Sequence, residues 1–445
     1  MSLRLFSTQV ESLGEFDVII AGSGSAGATA AISSARSGAR TLLLERLPFL
    51  GGTSTAVLDT FYGFYTPGSR SVKVVGGVAD DVVSRLNAYN ACMERPNTYG
   101  AGTGITYNTE YLKVVWEELV RQSGCTVLLN AWVQQVDVAR GRMTGVIVAT
   151  RQGLKSASAK FFVDATGDAD LCCFAGAPFE LAGENEPAQM LTTTFKAVNV
   201  DTAKRRTIGK DEFHRRMAQA AESGGYNLPR REGSDHITPI AGMYATNMTR
   251  VQSFEKVDGM TRNATDPALL TQAEMDGRRQ ALEYMRFLRD RIPGYESAEL
   301  VAFGTQIGVR ETRRIYGEYR MTREDVLSAA QFDDQIGLCG APIEDHHEGS
   351  DTHWQYLPDG SAVGIPFRAL LPQKIENLLV AGRCFSASHD AHASVRSMAQ
   401  CMAMGQAAGA AAALACTSHR ELRALDVSNL RDVLSAKGAI LQVPK

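Results

Sequence analysis

Apolar positions along this chain switch between two periods, and the switches mark its elements. Phe16 to Ala21 is a short, nearly unbroken apolar run that ends in glycines, the pattern of a buried strand. An Ala-rich stretch after Gly27 predicts a helix, and Thr41 to Leu44 predicts a second buried strand that ends at Glu45. Val78, Val82, Val83 and Leu86 share one helical face, which predicts a helix over Gly77 to Asn87. Asn108 or Thr109 caps a further helix that runs to about Gln122, and Cys125 to Leu129 reads as a short buried strand. The period then drops to two. Val133 to Val138 alternates, turns at Arg140-Gly141-Arg142, returns as Thr144 to Thr150, and is followed by Ala157 to Val163. This three-stranded β-meander delivers the chain to the polar turn Asp164-Ala165-Thr166-Gly167-Asp168.

From Gly176 to Lys374 the glycine punctuation of a nucleotide fold is missing. β-like stretches (Thr192 to Val198, Ile237 to Val251, Leu300 to Ile307) mix with a charged helix from Asp266 to about Arg291. The α/β pattern resumes with a strand at Asn377 to Ala381, a Gly382-Arg383 turn and a small-residue helix to Ala415. The predicted class is α/β: a Rossmann-like domain with a β-meander (16–175 and 375–418), interrupted by a mixed α+β substrate domain (176–374) and followed by a helical tail (419–445).

Composition changes this picture little. The 445 residues allow two or three domains, and a hydrophobic fraction of 44% with 21% charged residues is that of a soluble globular protein. A formal charge of −3 gives no reason to expect nucleic acid or an anionic membrane as partner. The first residues lack the apolar core of a signal peptide, and the Ala-rich run from Ala403 to Ala415 is too short to span a bilayer. Eight cysteines without a C-x-x-C point to a reducing, cytoplasmic setting. Adjacent Cys172 and Cys173 read as small apolar fillers. A homo-oligomer is compatible with all of this.

The chemistry starts at the first turn. Gly22-Ser23-Gly24-Ser25-Ala26-Gly27 lies between a strand and a helix, where Gly22 allows a tight turn, Gly24 lets a pyrophosphate approach and Gly27 lets the helix pack closely. The freed N–H groups and the positive helix end then face phosphates. Glu45 ends the second strand, where a carboxylate can accept from a ribose. These features predict an adenine dinucleotide. FAD is expected over NAD, because the chain enters a meander after Glu45 instead of further βαβ units and closes its framework only at Asn377 to Gly409.

Taken together, the motifs resemble the FAD-dependent oxidoreductase family, FAD-binding flavoproteins of the glutathione-reductase structural superfamily. The matching pieces are Gly22 to Gly27 with Glu45, Gly51-Gly52-Thr53, Asp164 to Asp168, Gly308 to Arg314 with Gly317-Glu318-Tyr319, Ile365 to Leu370, Asn377 to Arg383 and Ser386 to Gly409. The resemblance implies that Gly22, Gly24, Ser25, Ala26 and Gly27 hold the pyrophosphate and that Glu45, with Arg46 beside it, holds the adenosine ribose. It implies that Gly51, Gly52 and Thr53 line the pyrophosphate and flavin edge. Val133 would meet the adenine through its backbone, and Ala165, Thr166 and Gly167 would pack by the adenosine half. Gly382-Arg383 stands where related flavoproteins often carry Gly-Asp near the ribityl chain, a departure that leaves that contact open. A helix starting near Val395 to Met398 would aim its N-terminus at the flavin N1/O2 edge.

A flavin enzyme also needs a substrate against N5 and a group to move a proton. His389 and His392 precede the flavin-facing helix and serve either as acid–base groups or as supports for the cofactor loop. Arg310 and Arg314 would share a face if their segment were helical, and with Arg313 and Arg396 they suit either an anionic substrate group or salt bridges to Glu311 and Glu318. Arg396 is the strongest of the four, being next to the flavin end. The Asp345 to His353 stretch lacks regular metal-ligand spacing and reads as a polar or substrate-facing loop, so no metal is expected. Tyr62, Phe64 and Tyr65 wall a pocket or fill the core. No second G-x-G-x-x-G, redox cysteine pair or halogenase W-x-W-x-I-P is present. The expected activity is hydride transfer between a small alcohol, amine or acid and flavin N5. Its rivals are reduction of an activated C=C bond, with an arginine as acid, and a flavin-binding scaffold or redox sensor without turnover.

Overall fold

The computed structural model describes residues 10–97 and 100–444. Its central sheet is built on the strand Glu11–Ala21, which pairs in parallel with Thr41–Leu44 on one side and Gly153–Asp164 on the other. Thr126–Leu128 extends the sheet beyond Thr41–Leu44. The long strand Gly153–Asp164 serves two partners along its far edge. Its first half pairs antiparallel with Arg142–Thr150, and its last residues pair parallel with Leu378–Val380. The meander and the late strand thus share one edge, which is how a parallel framework absorbs an antiparallel insertion. Ala21 and Val380 both lie opposite Asp164, so the turns after all three strands open at the same end of the sheet. That end is where α/β folds bind ligands.

The helix Ser25–Arg36 follows the glycine turn and is buried along most of its length. It lies against Met398–Ser418 through small residues only. A Cβ on Gly405 would fall 2.1 Å from Ala26 O, and one on Gly409 would fall 2.2 Å from Ala30 O. The Ala-rich run is therefore a helix that other elements surround, and among the described residues no helix is long and apolar enough to cross a membrane. The predicted helices appear as Val78–Ala88 and Thr109–Gln122, the latter capped by Asn108.

A second core forms where the glycine signals are absent. Phe195, Phe213, Met217, Tyr284, Phe287 and Tyr295 are among its buried members. Its four-stranded sheet runs Ser234–Ile237, Tyr244–Asn247, Phe195–Val198, Glu299–Phe303, and the helix Pro267–Arg291, capped by Asp266, packs against it. The strand expected over Leu300 to Ile307 stops at Phe303. Gly304 N donates to Thr194 O at 2.9 Å and Thr305 N to Ala56 O at 2.6 Å, which turns the chain off the sheet and toward the nucleotide half.

The boundary differs from the sequence reading in one respect. Ile315, Leu338, Ile365 and Leu371 belong to the main core, although they were expected in the substrate domain. The strands Gln335–Cys339 and Val363–Pro366 pack on the helix Met398–Ser418, where a Cβ on Gly337 would stand 3.1 Å from Ala403 Cβ. The tail also joins this core: Leu430 and Leu434 of the helix Val427–Ala436 are buried in it.

Candidate functional site

One cavity of about 850 Å³ extends from the common mouth of the three strands into the second core. Its nucleotide half is a double layer of glycine turns. Gly22 has φ +85°, and a Cβ there would meet Ala165 O at 2.5 Å. A Cβ on Gly27 would fall 1.8 Å from Gly22 O, so the helix starts directly on the turn. Gly51 N donates to Ser23 O at 2.9 Å, and Gly52 approaches so closely that its Cβ would lie 2.7 Å from Gly24 Cα.

Gly24 is different. Its φ of −57° suits any residue, and a Cβ there would meet nothing within 4 Å. The first turn of the helix has no side-chain cap, and the Ser25 hydroxyl is buried without a partner. Uncapped N–H groups, an orphaned hydroxyl and open space above a glycine are what a pyrophosphate would fill.

Glu45 fastens this turn before it meets any ligand. Its Oε2 accepts from Ser23 N at 2.8 Å and Ser23 Oγ at 2.6 Å, and its Oε1 accepts from Leu47 N at 2.8 Å. Oε1 keeps a second lone pair, so a ribose hydroxyl can still be accepted. Arg46 lies over the Trp132 ring at 5.9 Å and donates to Gln306 at 2.8 Å. Thr53, Val133, Ala165, Thr166, Gly167 and Gly382 line the same space, whereas Gly27 and Gly51 stand just behind it.

Arg383 pairs with Asp168 at 2.9 Å. Burial alone would raise the Asp168 carboxyl, but Arg383 and the Thr312 hydroxyl outweigh it and hold it below the usual range. The residue that departs from the family pattern is thus matched by a carboxylate from the Asp164–Asp168 turn. Met398 begins the 21-residue helix to Ser418, whose Ser397 N-cap makes no side-chain capping bond, and both residues line the cavity.

The two histidines expected near the flavin lie in the wall, and neither lines the cavity. His389 is 4% exposed. Its Nδ1 faces Glu311 at 3.0 Å and its Nε2 faces Asp345 at 3.1 Å. Burial opposes its charge, yet the hydrogen bonds it donates to Asp345 and Glu311 carry its pKa up to about 10. An imidazolium held this firmly does not accept a proton at neutral pH. His392 is fully buried, and its Nε2–H donates to Arg383 O at 2.6 Å. Burial keeps it neutral, down to about 3, despite Glu311 nearby. Both rings are held by protein partners in the wall behind the cavity.

The arginines divide as well. The Gly308–Arg314 segment is irregular until the short strand Arg313–Ile315, so Arg310 and Arg314 do not share a helical face. Arg314 is sealed in a cage of Glu180, Glu186 and Glu311. Arg313 pairs with Asp170 at 2.9 Å. Arg310 and Arg396 both face the cavity. Arg310 donates to Met190 O at 2.7 Å and Thr192 Oγ1 at 2.6 Å, and Arg396 reaches Glu344 O at 3.4 Å.

Three groups in the cavity had no signal in the sequence reading. His236 Nε2 lies 2.8 Å from Asp59 Oδ1, joining a cap strand to the loop that follows Gly51-Gly52-Thr53. Arg230 lines the cavity from the cap, and its Nη1 donates to Asn247 Oδ1 at 3.0 Å. Arg95 donates to the Tyr62 hydroxyl, and both line the space. Of the aromatic trio only Tyr62 does so; Phe64 is core and Tyr65 bonds Glu94. From the polar loop, His346 faces the cavity, and among the described residues no acid, histidine or cysteine cluster could hold a metal.

A Rossmann sheet with a glycine-lined phosphate cradle, closed by a late uncapped helix, defines an FAD-binding flavoprotein. The chain belongs to the FAD dependent oxidoreductase family, whose model matches residues 17–434. It is an FAD enzyme. The fold is similar to that of p-nitrophenol 4-monooxygenase PnpA from Pseudomonas putida DLL-E4, at 9% identity and a TM-score of 0.50 over 95% of this chain and 85% of that one. A geranylgeranyl bacteriochlorophyll reductase-like protein from Thermoplasma acidophilum is similar at 12% identity and a TM-score of 0.46, over 95% and 84% of the two chains. At such identities the likeness concerns the fold. No curated protein matches the chain.

Proposed function

We propose that the enzyme oxidises a small organic substrate by hydride transfer to the flavin, with the His236–Asp59 pair taking the accompanying proton. One observation carries this reading: the glycine cradle for FAD and the polar side chains of the cap line a single continuous cavity. A substrate in the cap half reaches the cofactor without crossing bulk solvent. Bound FAD supplies the two-electron acceptor.

The remaining work falls to side chains. Burial alone would raise Asp59, but His236, Lys196 and Arg95 outweigh it and keep the carboxyl ionised, below its usual range. An ionised acceptor at 2.8 Å requires the proton of His236 on Nε2. The other ring nitrogen, Nδ1, then carries the free lone pair and is the base. Asp59 stabilises the imidazolium that forms when Nδ1 takes a proton from a substrate O–H or N–H.

A second reading, reduction of an activated C=C bond, draws support from Arg310. Its guanidinium is held well below the ordinary range by burial and by neighbouring Arg396 and Arg230, which makes it a better acid. Anaerobic mixing separates the two. Bleaching of the flavin by an alcohol, amine or hydroxy acid supports oxidation, and reoxidation of dithionite-reduced enzyme by an enoate supports the second reading. A flavin that only a nicotinamide can bleach and that no enoate reoxidises would sink both. For the first reading, His236→Gln is expected to slow flavin reduction by roughly 10²- to 10⁴-fold while FAD content stays unchanged. An unaltered rate would remove His236 from the mechanism.

A further inference from the structure

Several buried or largely buried arginines of this protein are spent on carboxylates or carbonyls. Arg205 is held by both oxygens of Asp235 at 2.7 Å. Arg314 sits among three glutamates. Arg313 and Arg383, also largely buried, pair with Asp170 and Asp168. Arg250, behind the cavity, is spent on the carbonyls of His347, Gly349 and Asp351, which anchor a loop. Arg310 and Arg396 make no ion pair among the described residues, and both face the cavity.

Their donors are also incompletely used. Arg396 Nε is buried without a partner, and its recorded bond to Glu344 O is long, at 3.4 Å. Arg310 spends Nη1 on Met190 O and Thr192 Oγ1, while Nη2 has only a 3.4 Å contact to Asn247 Oδ1. Glu344 acts on both guanidinium groups from beyond contact, and its Oε1 is taken up by His346 Nε2 at 2.9 Å. Burial and then Arg310, Arg230, Arg396 and Arg250 hold His346 well below its usual range, so its ring adds no charge beside them. Two guanidinium groups set in one cavity wall with no carboxylate in contact are costly to hold, and such an arrangement is retained where a ligand supplies the missing contact.

We infer that the substrate of this enzyme carries a carboxylate, which docks on the open guanidinium edges of Arg310 and Arg396. This rests on the reading of the cap half of the cavity as the substrate site. A planar carboxylate matches the fork of a guanidinium and can accept from two of its N–H groups together. Arg396 immediately precedes Ser397, the N-cap of the late helix, so an anion there also meets that helix's positive end. The carboxylate is an anchor and takes part in no bond change. It holds the neighbouring carbon for hydride loss, while the proton goes to His236.

The inference can be tested without knowing the substrate. Holoenzyme is titrated with malonate, malonamide and inorganic phosphate, and binding is read from the flavin difference spectrum. Malonate is expected to bind at least 10-fold more tightly than malonamide, a neutral compound of the same shape, and more tightly than phosphate. Arg396→Met and Arg310→Met are each expected to weaken malonate at least 10-fold with FAD content unchanged, and Arg396→Lys to restore part of the loss. Should either variant lose FAD, the wild-type ratio of malonate to malonamide still decides. Equal affinity for malonate and malonamide, or a preference for phosphate, overturns the assignment. Bleaching by a neutral alcohol without any malonate effect would overturn the carboxylate alone and leave hydride transfer standing. Tight malonate binding in an enzyme that no organic compound reduces would do the reverse.

Discussion

Gly24→Asp is expected to yield a folded protein without flavin. The backbone at Gly24 is ordinary, and its Cβ would meet nothing within 4 Å, so the chain bears the new side chain without strain. The side chain would occupy the space above the helix N-terminus and bring a negative charge to the place of the pyrophosphate. Purified protein should be colourless, with a circular dichroism spectrum like that of wild-type apoprotein. Gly27→Ala is the control with the opposite fault. Its Cβ would lie 1.8 Å from Gly22 O, so the helix must shift and the fold itself suffers. A yellow Gly24→Asp protein with full FAD content would refute the assignment of the cradle.

Glu311→Ala is expected to cost about 3–5 kcal/mol of stability, the usual effect of removing one partner from a buried ion pair. Glu311 is 1% exposed. It joins Arg314, His389 and the backbone N–H of Gln189, the last at 3.0 Å, so its loss leaves two buried cations short of a countercharge. Chemical denaturation of the holoenzyme measures this, and a loss below about 1 kcal/mol would show that the hub is not structural.

The same network sets a pH dependence. His389 has a folded pKa of about 10, above its unfolded value, so the folded state binds more protons between pH 6.5 and 10. The stability it contributes is complete below about pH 6.5 and is lost as pH rises through about 10. His392 has the opposite sign. Its folded pKa is about 3, so its contribution is present above about pH 6.5 and is lost as pH falls toward 3. Thermal unfolding across this range should therefore fall off on both sides of a maximum near pH 6.5. His389→Asn should flatten the alkaline limb and leave the acidic one. An alkaline limb unchanged in that variant would count against the ionised His389.

Much of the cofactor site was legible because its parts are close in sequence. Gly22 to Gly27 and Glu45 lie within one strand–turn–helix–strand unit, and each residue type answers a local need for a tight turn, close packing or an acceptor. The meander and the helix Met398–Ser418 were legible from period and small-residue content. The chemistry was not legible in the same way. The position of His389 and His392 before the flavin helix left acid–base work and support of the loop both open, and only the fold shows that Glu311 and Asp345 bind one and Arg383 O the other. Arg310 and Arg314 looked equivalent in spacing, yet one lines the cavity and the other is caged by glutamates.

By itself the sequence determined the cofactor and the glycine turns that line the cavity, since short-range geometry and glycine conformations are local properties of the chain. Only the tertiary structure decided which polar groups share the cavity. Asp59 and His236 are 177 residues apart and meet because Thr305 and Thr194 fasten the cap to the Ala56–Val57 segment. Arg310 and Arg396 face the cavity with no carboxylate in contact among the described residues. Charge compensation is a property of three-dimensional neighbours, and no spacing along the chain records it.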